Sequence, residues 1–144
     1  MGSSPNFSLA QANEPFWPGT VSTDEKDRQW HAENNFLLVA WSALGRGFFA
    51  KADPKDMSDA DLVRVFYSDG NFERKKRAEA FAEAKGMSMF EIALSYVTSQ
   101  AFPVIALNGA ETPEQVVSSA KAGALQLSAE ERDWLDLTSN LRPF

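Results

Sequence analysis

The chain has 144 residues, 44% of them hydrophobic and 12% aromatic, which is one ordinary domain with enough apolar material to bury a core. Its 14 basic and 20 acidic residues give a net charge of −6 with no lysine- or arginine-rich run, so the concentrated basic face that nucleic acids and anionic membranes need is missing. Without cysteine there is no disulfide framework, no thiolate nucleophile and no cysteine-ligated zinc; that suits a reducing compartment and makes the cytoplasm the default location.

Residues 1–13 are polar and lack the apolar core of a signal peptide, and no later stretch approaches the ~20 apolar residues of a membrane span. The opening Met1-Gly2-Ser3-Ser4 reads as a cloning scar. Residues 7–9 are a short apolar remnant, the end of a strand, and Glu14-Pro15-Phe16-Trp17-Pro18-Gly19 has the fixed and permissive dihedrals of a loop. Phe7, Phe16 and Trp17 are open to two readings, lining a substrate side or packing at a rim. Ser22-Thr23-Asp24-Glu25 fits a capping box and predicts a helix to about Asn34, with Trp30 facing the core and His31 a surface or packing residue. Residues 36–41 form a continuous apolar run between asparagines and a glycine loop, the pattern of a parallel strand covered on both faces.

After Gly45 and Gly47, Ser58-Asp59-Ala60-Asp61 opens a short helix, and Asn71 opens a longer one ending at Lys85 with Gly86 as its C-cap. Ser88 and Glu91 repeat the capping-box spacing before Phe90, Leu94 and Val97, which recur on one helical face, and Pro103 stops that helix. Residues 104–107 are a further buried strand. Thr112-Pro113 supplies a cap and a first-turn proline, and Ser128 with Glu131 caps a last helix carrying Trp134 and Leu137. The charged stretches 24–28 and 73–77 read as solvated helix faces with i,i+4 pairs.

The order strand, helix, strand, helices, strand, helices means a parallel α/β fold with about three strands and flanking helices. Three parallel strands make a thin sheet with open edges, so partner strands are expected from elsewhere.

Ala40-Trp41-Ser42-Ala43-Leu44-Gly45-Arg46-Gly47 resembles the end of barrel strand seven in the aldo/keto reductase family. Pro5-Asn6-Phe7-Ser8-Leu9-Ala10 resembles the end of strand six. Asn71-Phe72-Glu73, Arg77-Ala78, Lys85-Gly86-Met87-Ser88 and Ile92-Ala93-Leu94-Ser95-Tyr96-Val97 are similar to the family's paired helices before its last strand. Phe102-Pro103-Val104-Ile105, Gly109-Ala110, Thr112-Pro113-Glu114-Gln115, Leu127-Ser128 and Trp134-Leu135 are similar to the final strand and helices. These matches run through nearly the whole chain in order.

The resemblance implies the C-terminal half of a TIM (β/α)₈ barrel, residues 1–144 being the C-terminal part of an NAD(P)-dependent domain. Its pocket would lie at the C-terminal ends of the strands. Complete members transfer a hydride between NAD(P)H and an aldehyde or ketone. By resemblance Trp41 stacks on the nicotinamide, Ser42, Leu44 and Gly45 contact the pyrophosphate, and Arg46 adds charge. Gly109, Thr112, Gln115 and Ser119 hold the adenosine end; Glu111, an acid beside a 2′-phosphate, leaves NADP and NAD both open. Taken alone, Trp41 reads as a core aromatic and Gly45 and Gly47 as a turn.

The family protonates its substrate with a tyrosine tuned by lysine, aspartate and histidine on earlier strands, none of which is matched here. Tyr67 and Tyr96 fall in outer helices and His31 in the helix before strand seven, so no catalytic residue is assigned, and no metal or nucleic acid is implied. Two readings follow. One is an oxidoreductase component whose partner is a complementary N-terminal half-barrel. The other is a truncated, non-catalytic half-barrel or nucleotide-binding module closed by self-association.

Overall fold

The computed structural model describes all 144 residues and contains a three-stranded parallel sheet with seven α-helices. Strand β2 (Leu37–Ala40) is central, with β1 (Gly2–Ser3) on one side and β3 (Val104–Ala106) on the other. Gly2 and Ser3 pair with Leu37 and Leu38, so the chain's opening residues form an edge strand. This first strand begins earlier than the apolar remnant at 7–9, and Asn6 continues it as a parallel bridge to Trp41.

The sheet is covered on one face only. Leu38 and Ala40 are fully buried against the helices, with Val104 and Ala106 in register beside them. On the other face, Val39 pairs with Ile105, and Ile105 and Leu107 stay 50% and 48% exposed. The expectation of strands buried on both faces therefore fails for 104–107: no second layer lies across this side. The Pro103 carbonyl and the Leu107 amide bond to β2, so the alternate residues Val104 and Ala106 point their peptide groups toward an open edge.

Helix α1 (Glu25–Glu33) follows β1, and its capping box is Asp24 with Asp27, not Ser22 with Glu25. Ser22 is held extended against Asn6, its hydroxyl donating to Asn6 Oδ1 at 3.3 Å, so it cannot turn to cap. The later cap rotates the helix: Trp30 is half exposed and His31 is buried. A carbonyl can only accept, so His31 Nδ1 donates to Phe36 O at 2.8 Å, and Nε2 is hydrogen-bonded with Ser3 Oγ at 3.0 Å.

Four helices then lead to β3: α2 (Phe48–Lys51), α3 (Ala60–Phe66), α4 (Asp69–Lys85) and α5 (Met89–Thr98). Helix α4 starts earlier than Asn71, at a Ser68 cap, and Asn71 lies buried inside its first turn. Its side-chain amide binds the backbone of Gln11 in both directions, at 2.9 and 2.7 Å. Gly86 ends α4 at φ 63°, as its missing Cβ allows. Helix α5 buries seven consecutive residues, from Glu91 to Val97, against β3, α4 and α6 (Pro113–Ala124). Helix α7 (Ala129–Leu135) packs on α4.

Just past α7, Asp136 ties the helical layer together. Its carboxylate meets Arg28 Nη2 at 2.7 Å, Arg74 Nε at 3.4 Å and Gln11 Nε2 at 3.2 Å, and Arg28 also donates to Tyr96 Oη at 2.5 Å. Arg77 donates to the carbonyls of Trp134 and Ser139, each at 2.7 Å. The stretches 24–28 and 73–77 are thus not merely solvated faces; the first sends Arg28 inward and the second Arg74 and Arg77, all three fixing the chain's C-terminal region. Because Asp136 is 5% exposed, Asp136→Ala leaves the buried Arg74 and the part-buried Arg28 guanidinium without their anion, and urea unfolding should show a loss of about 3 kcal/mol.

Glu91 joins α5 to α6. Burial pushes its carboxyl up, but the Ser88 amide, the Ser118 and Ser88 hydroxyls and Lys121 outweigh that and hold it below its ordinary value. A lowered folded value stabilises the protein above the ordinary glutamate range, and the contribution disappears as pH falls through the folded value. Glu91→Gln should therefore be less stable than wild type at pH 7, and thermal melts at successively lower pH should show the gap closing.

Candidate functional site

A cleft of about 640 Å³ opens between the loop after β2 and the loop after β3. The β2 loop coils tightly: Ser42, Gly45, Arg46 and Gly47 all have positive φ, at 51°, 57°, 53° and 86°. Gly45 N donates to Ser42 O at 2.8 Å and Gly47 N to Leu44 O at 3.2 Å. At Gly45 a Cβ would lie 3.3 Å from Ala10 Cβ, so the glycine permits both the turn and the close approach of residues 8–10. Two residues with side chains hold left-handed backbone here, strain that clusters at sites under functional constraint.

Lys51, at the end of α2, folds back over Gly47, where a Cβ would stand 3.3 Å from Lys51 Cε. Arg46 and Lys51 both line the cleft, and neither has a carboxylate partner. The opposite wall is the turn into α6. Thr112 caps the helix by accepting from Gln115 N at 3.3 Å, and Gln115 Oε1 accepts from Glu111 N at 2.6 Å. Asn108 Nδ2 donates to Ser119 Oγ at 2.9 Å.

The two segments singled out in the sequence thus face one cleft, lined by Ser42, Leu44 and Arg46 from one and Gly109 and Gln115 from the other, with Glu111 beside them. Four expected residues stand back from it. Gly45 is buried beneath the loop, Thr112 is engaged as the cap, Ser119 is bound by Asn108, and Trp41 is partly buried, packed against the core and Trp17. Lys51, Phe49, Phe90 and Asn108 line the cleft and were not read as site residues. Lys51 alone had a local signal, a cation four residues beyond a glycine turn.

Trp41 does not present a free ring. Trp17 packs against it with centroids 5.5 Å apart and planes 38° apart, and the Arg46 guanidinium sits 4.0 Å from the Phe16 centroid and 5.3 Å from that of Trp17. Phe7 is buried on Tyr96 and Phe102. The groups that could move a proton lie elsewhere. Tyr67 Oη donates to Asp56 O at 2.9 Å, and Tyr96 is buried in the Asp136 network. Burial and the Asp136 carboxylate, against the opposing Arg28, push the Tyr96 hydroxyl far above its usual range. No cluster of three or more His, Cys, Asp or Glu side chains is placed to hold a metal, and no helix is long and apolar enough to cross a membrane.

The pattern of the aldo/keto reductase family matches residues 23–138. Among solved structures, the chain is similar to a thermostable aldo-keto reductase crystallised with the inhibitor epalrestat, with a TM-score of 0.61 and 22% identity. That superposition covers 94% of this chain and 39% of the reductase, so the chain spans about two-fifths of the length of that protein. No curated protein sequence matches it.

The loop geometry makes a differential prediction. Gly45→Ala forces a Cβ into left-handed backbone against Ala10 and should lower stability by about 1–2 kcal/mol in urea titrations. Gly109→Ala, with no atom within 4 Å of its added Cβ, should leave stability nearly unchanged.

Proposed function

This chain belongs to the aldo/keto reductase family, and we propose that it is the nicotinamide-nucleotide-binding side of an NAD(P)H-dependent carbonyl reductase. One observation carries the reading: two cations without carboxylate partners, Arg46 and Lys51, face the capped N-terminus of α6 across a single cleft. Diphosphates favour this combination of guanidinium, ammonium and the positive end of a helix dipole. Gly109, with nothing within 4 Å of an added Cβ, leaves the backbone open to close approach. A bound cofactor would supply hydride chemistry; this chain's residues would bind and orient it.

Substrate protonation would fall to groups outside this chain. A (β/α)₈ barrel needs eight strands and this chain supplies three, so a complementary half-barrel adding five strands would close the open edges of β1 and β3 and complete the enzyme. A reducing compartment such as the cytoplasm suits both a cysteine-free chain and a nicotinamide reductase. Glu111 sets the choice of cofactor: a carboxylate in the α6 turn repels an additional phosphate monoester, by about 1 kcal/mol at 4 Å in water and more where water is excluded, and so favours NAD over NADP.

The exposed face bearing Ile105 and Leu107 supports a second reading, a non-catalytic half-barrel that self-associates through its sheet. A solution mass that rises with concentration and no nucleotide affinity would favour it. The primary reading expects millimolar or tighter NADH binding by calorimetry, and an Arg46→Ala/Lys51→Ala double variant should bind at least about tenfold more weakly. Mixing with the first five βα units of a relative should restore aldehyde-dependent NADH oxidation. If the chain binds neither NADH nor NADPH, the reading is wrong.

A further inference from the structure

The loop from β3 to α6 contains the only asparagine of the chain that precedes a glycine, Asn108-Gly109. It is anchored on both sides and free between. Leu107 N donates to Ala40 O at 2.8 Å and Glu111 N to Gln115 Oε1 at 2.6 Å, whereas the amides of Asn108, Gly109 and Ala110 donate to nothing. Gly109 and Ala110 are exposed, and a Cβ added at Gly109 would meet no atom within 4 Å. Backbone without hydrogen bonds or packing reorients at little cost, so the arc 108–110 samples dihedrals that a helix or strand forbids.

The Asn108 side chain is held on one side only. Its Nδ2 donates to Ser119 Oγ at 2.9 Å, and its Oδ1 has no partner. Asn71 makes the contrast. Buried in α4, it accepts from Gln11 N through Oδ1 and donates through Nδ2 to the carbonyls of Gln11 and Phe66, and the residue after it is a helical phenylalanine. At Asn108 the side-chain carbonyl is free and the next amide nitrogen is free. The residue carrying that nitrogen has no side chain to obstruct ring closure.

We infer that Asn108-Gly109 is a spontaneous modification site, at which the asparagine becomes aspartate or isoaspartate and adds a second carboxylate to the cleft that Glu111 already lines. Gly109 N, on losing its proton, attacks Asn108 Cγ; the Cγ–Nδ2 bond breaks and Nδ2 leaves as ammonia with the released proton. Water then opens the succinimide, at Cγ to give aspartate or at the backbone carbonyl carbon to give isoaspartate. Water is the only other reactant, and nothing is oxidised or reduced. Ser119 Oγ already donates to Gln115 O at 2.7 Å, so its lone pairs face Asn108, and a carboxylate in that place loses the tie between the loop and α6. The new charge repels an anionic ligand and offers Arg46 and Lys51, which line the same cleft, an internal counter-charge. The modification needs no nucleotide; its effect on binding rests on the nucleotide-binding reading of the cleft.

Ageing the purified full chain in mildly alkaline buffer at physiological temperature, followed by peptide mass mapping and isoaspartate methylation, tests this. Asn108 should convert at least about tenfold faster than Asn71 or any other asparagine, and Gly109→Ala, whose methyl hinders ring closure, should slow it about tenfold. By calorimetry Asn108→Asp should bind NADH about fivefold more weakly than fresh wild type, the effect of one added like charge. Asn108→Gln should keep its own affinity through ageing. Circular dichroism and melting of each variant separate lost binding from lost fold. If Asn108 stays intact, or another asparagine converts as fast, the inference is overturned whether or not NADH binds. If Asn108 converts but the aged chain and Asn108→Asp bind NADH like fresh wild type, the effect on the cleft is overturned and nucleotide binding stands. If fresh wild type binds neither NADH nor NADPH, the proposed function fails, and the mass mapping alone upholds or overturns the modification site.

Discussion

Parallel strands are stable when both faces are covered, and the strands of this chain cover one. Everything complete in the molecule lies on the helical side. Leu38 and Ala40 are sealed, and α5 buries seven residues in succession beneath β3. Everything incomplete lies on the opposite side, where Ile105 and Leu107 face outward and Val104 and Ala106 direct peptide groups to an unpaired edge. Burying two such side chains is worth a few kcal/mol, and unpaired edge groups invite a further strand. The match to only 39% of a full reductase has the same content in another form: the shared fold is an outer layer and a slice of sheet.

The helical layer is tied together by its own polar contacts. Asp136 gathers α1, α4, α5 and the loop after β1 through Arg28, Arg74, Tyr96 and Gln11, and Asn71 fixes the same loop from α4. These contacts join residues 60 to 125 positions apart. Their consequence for the site is indirect but physical. Residues 8–10, which back Gly45, are followed directly by Gln11, so the coil after β2 is braced from beneath by a loop that the network itself positions.

How much of this the sequence reveals depends on the range of the interaction. The caps at Ser88, Thr112 and Ser128, the αL glycine at 86 and strands β2 and β3 are set by neighbours within a few residues, and their patterns can be read directly; β1, at Gly2–Ser3, is not. At the start of α1 two local patterns overlap. The choice of Asp24 over Ser22 comes from Asn6, sixteen residues upstream of Ser22, and it accompanies the turning of Trp30 away from the core, with His31 as the packing residue. The exposure of Ile105 has no local signature at all, because an apolar run looks the same whether or not a partner lies across it.

The candidate site follows the same rule. Its two loops were recognisable as motifs, and the fold brings them to one cleft. What the motifs left out are contacts made from a distance: Lys51 folding over Gly47, and the segment 14–20 that lays Trp17 on Trp41 and Phe16 on Arg46. A motif records which residues lie at a strand end, but a ring's availability depends on what else packs against it. Here that segment is tied down by Arg64 on α3, an element with no part in either motif. The aromatic surface at the end of β2 is therefore a property of the assembled helical layer, and any ligand that uses it reads the fold as well as the loop.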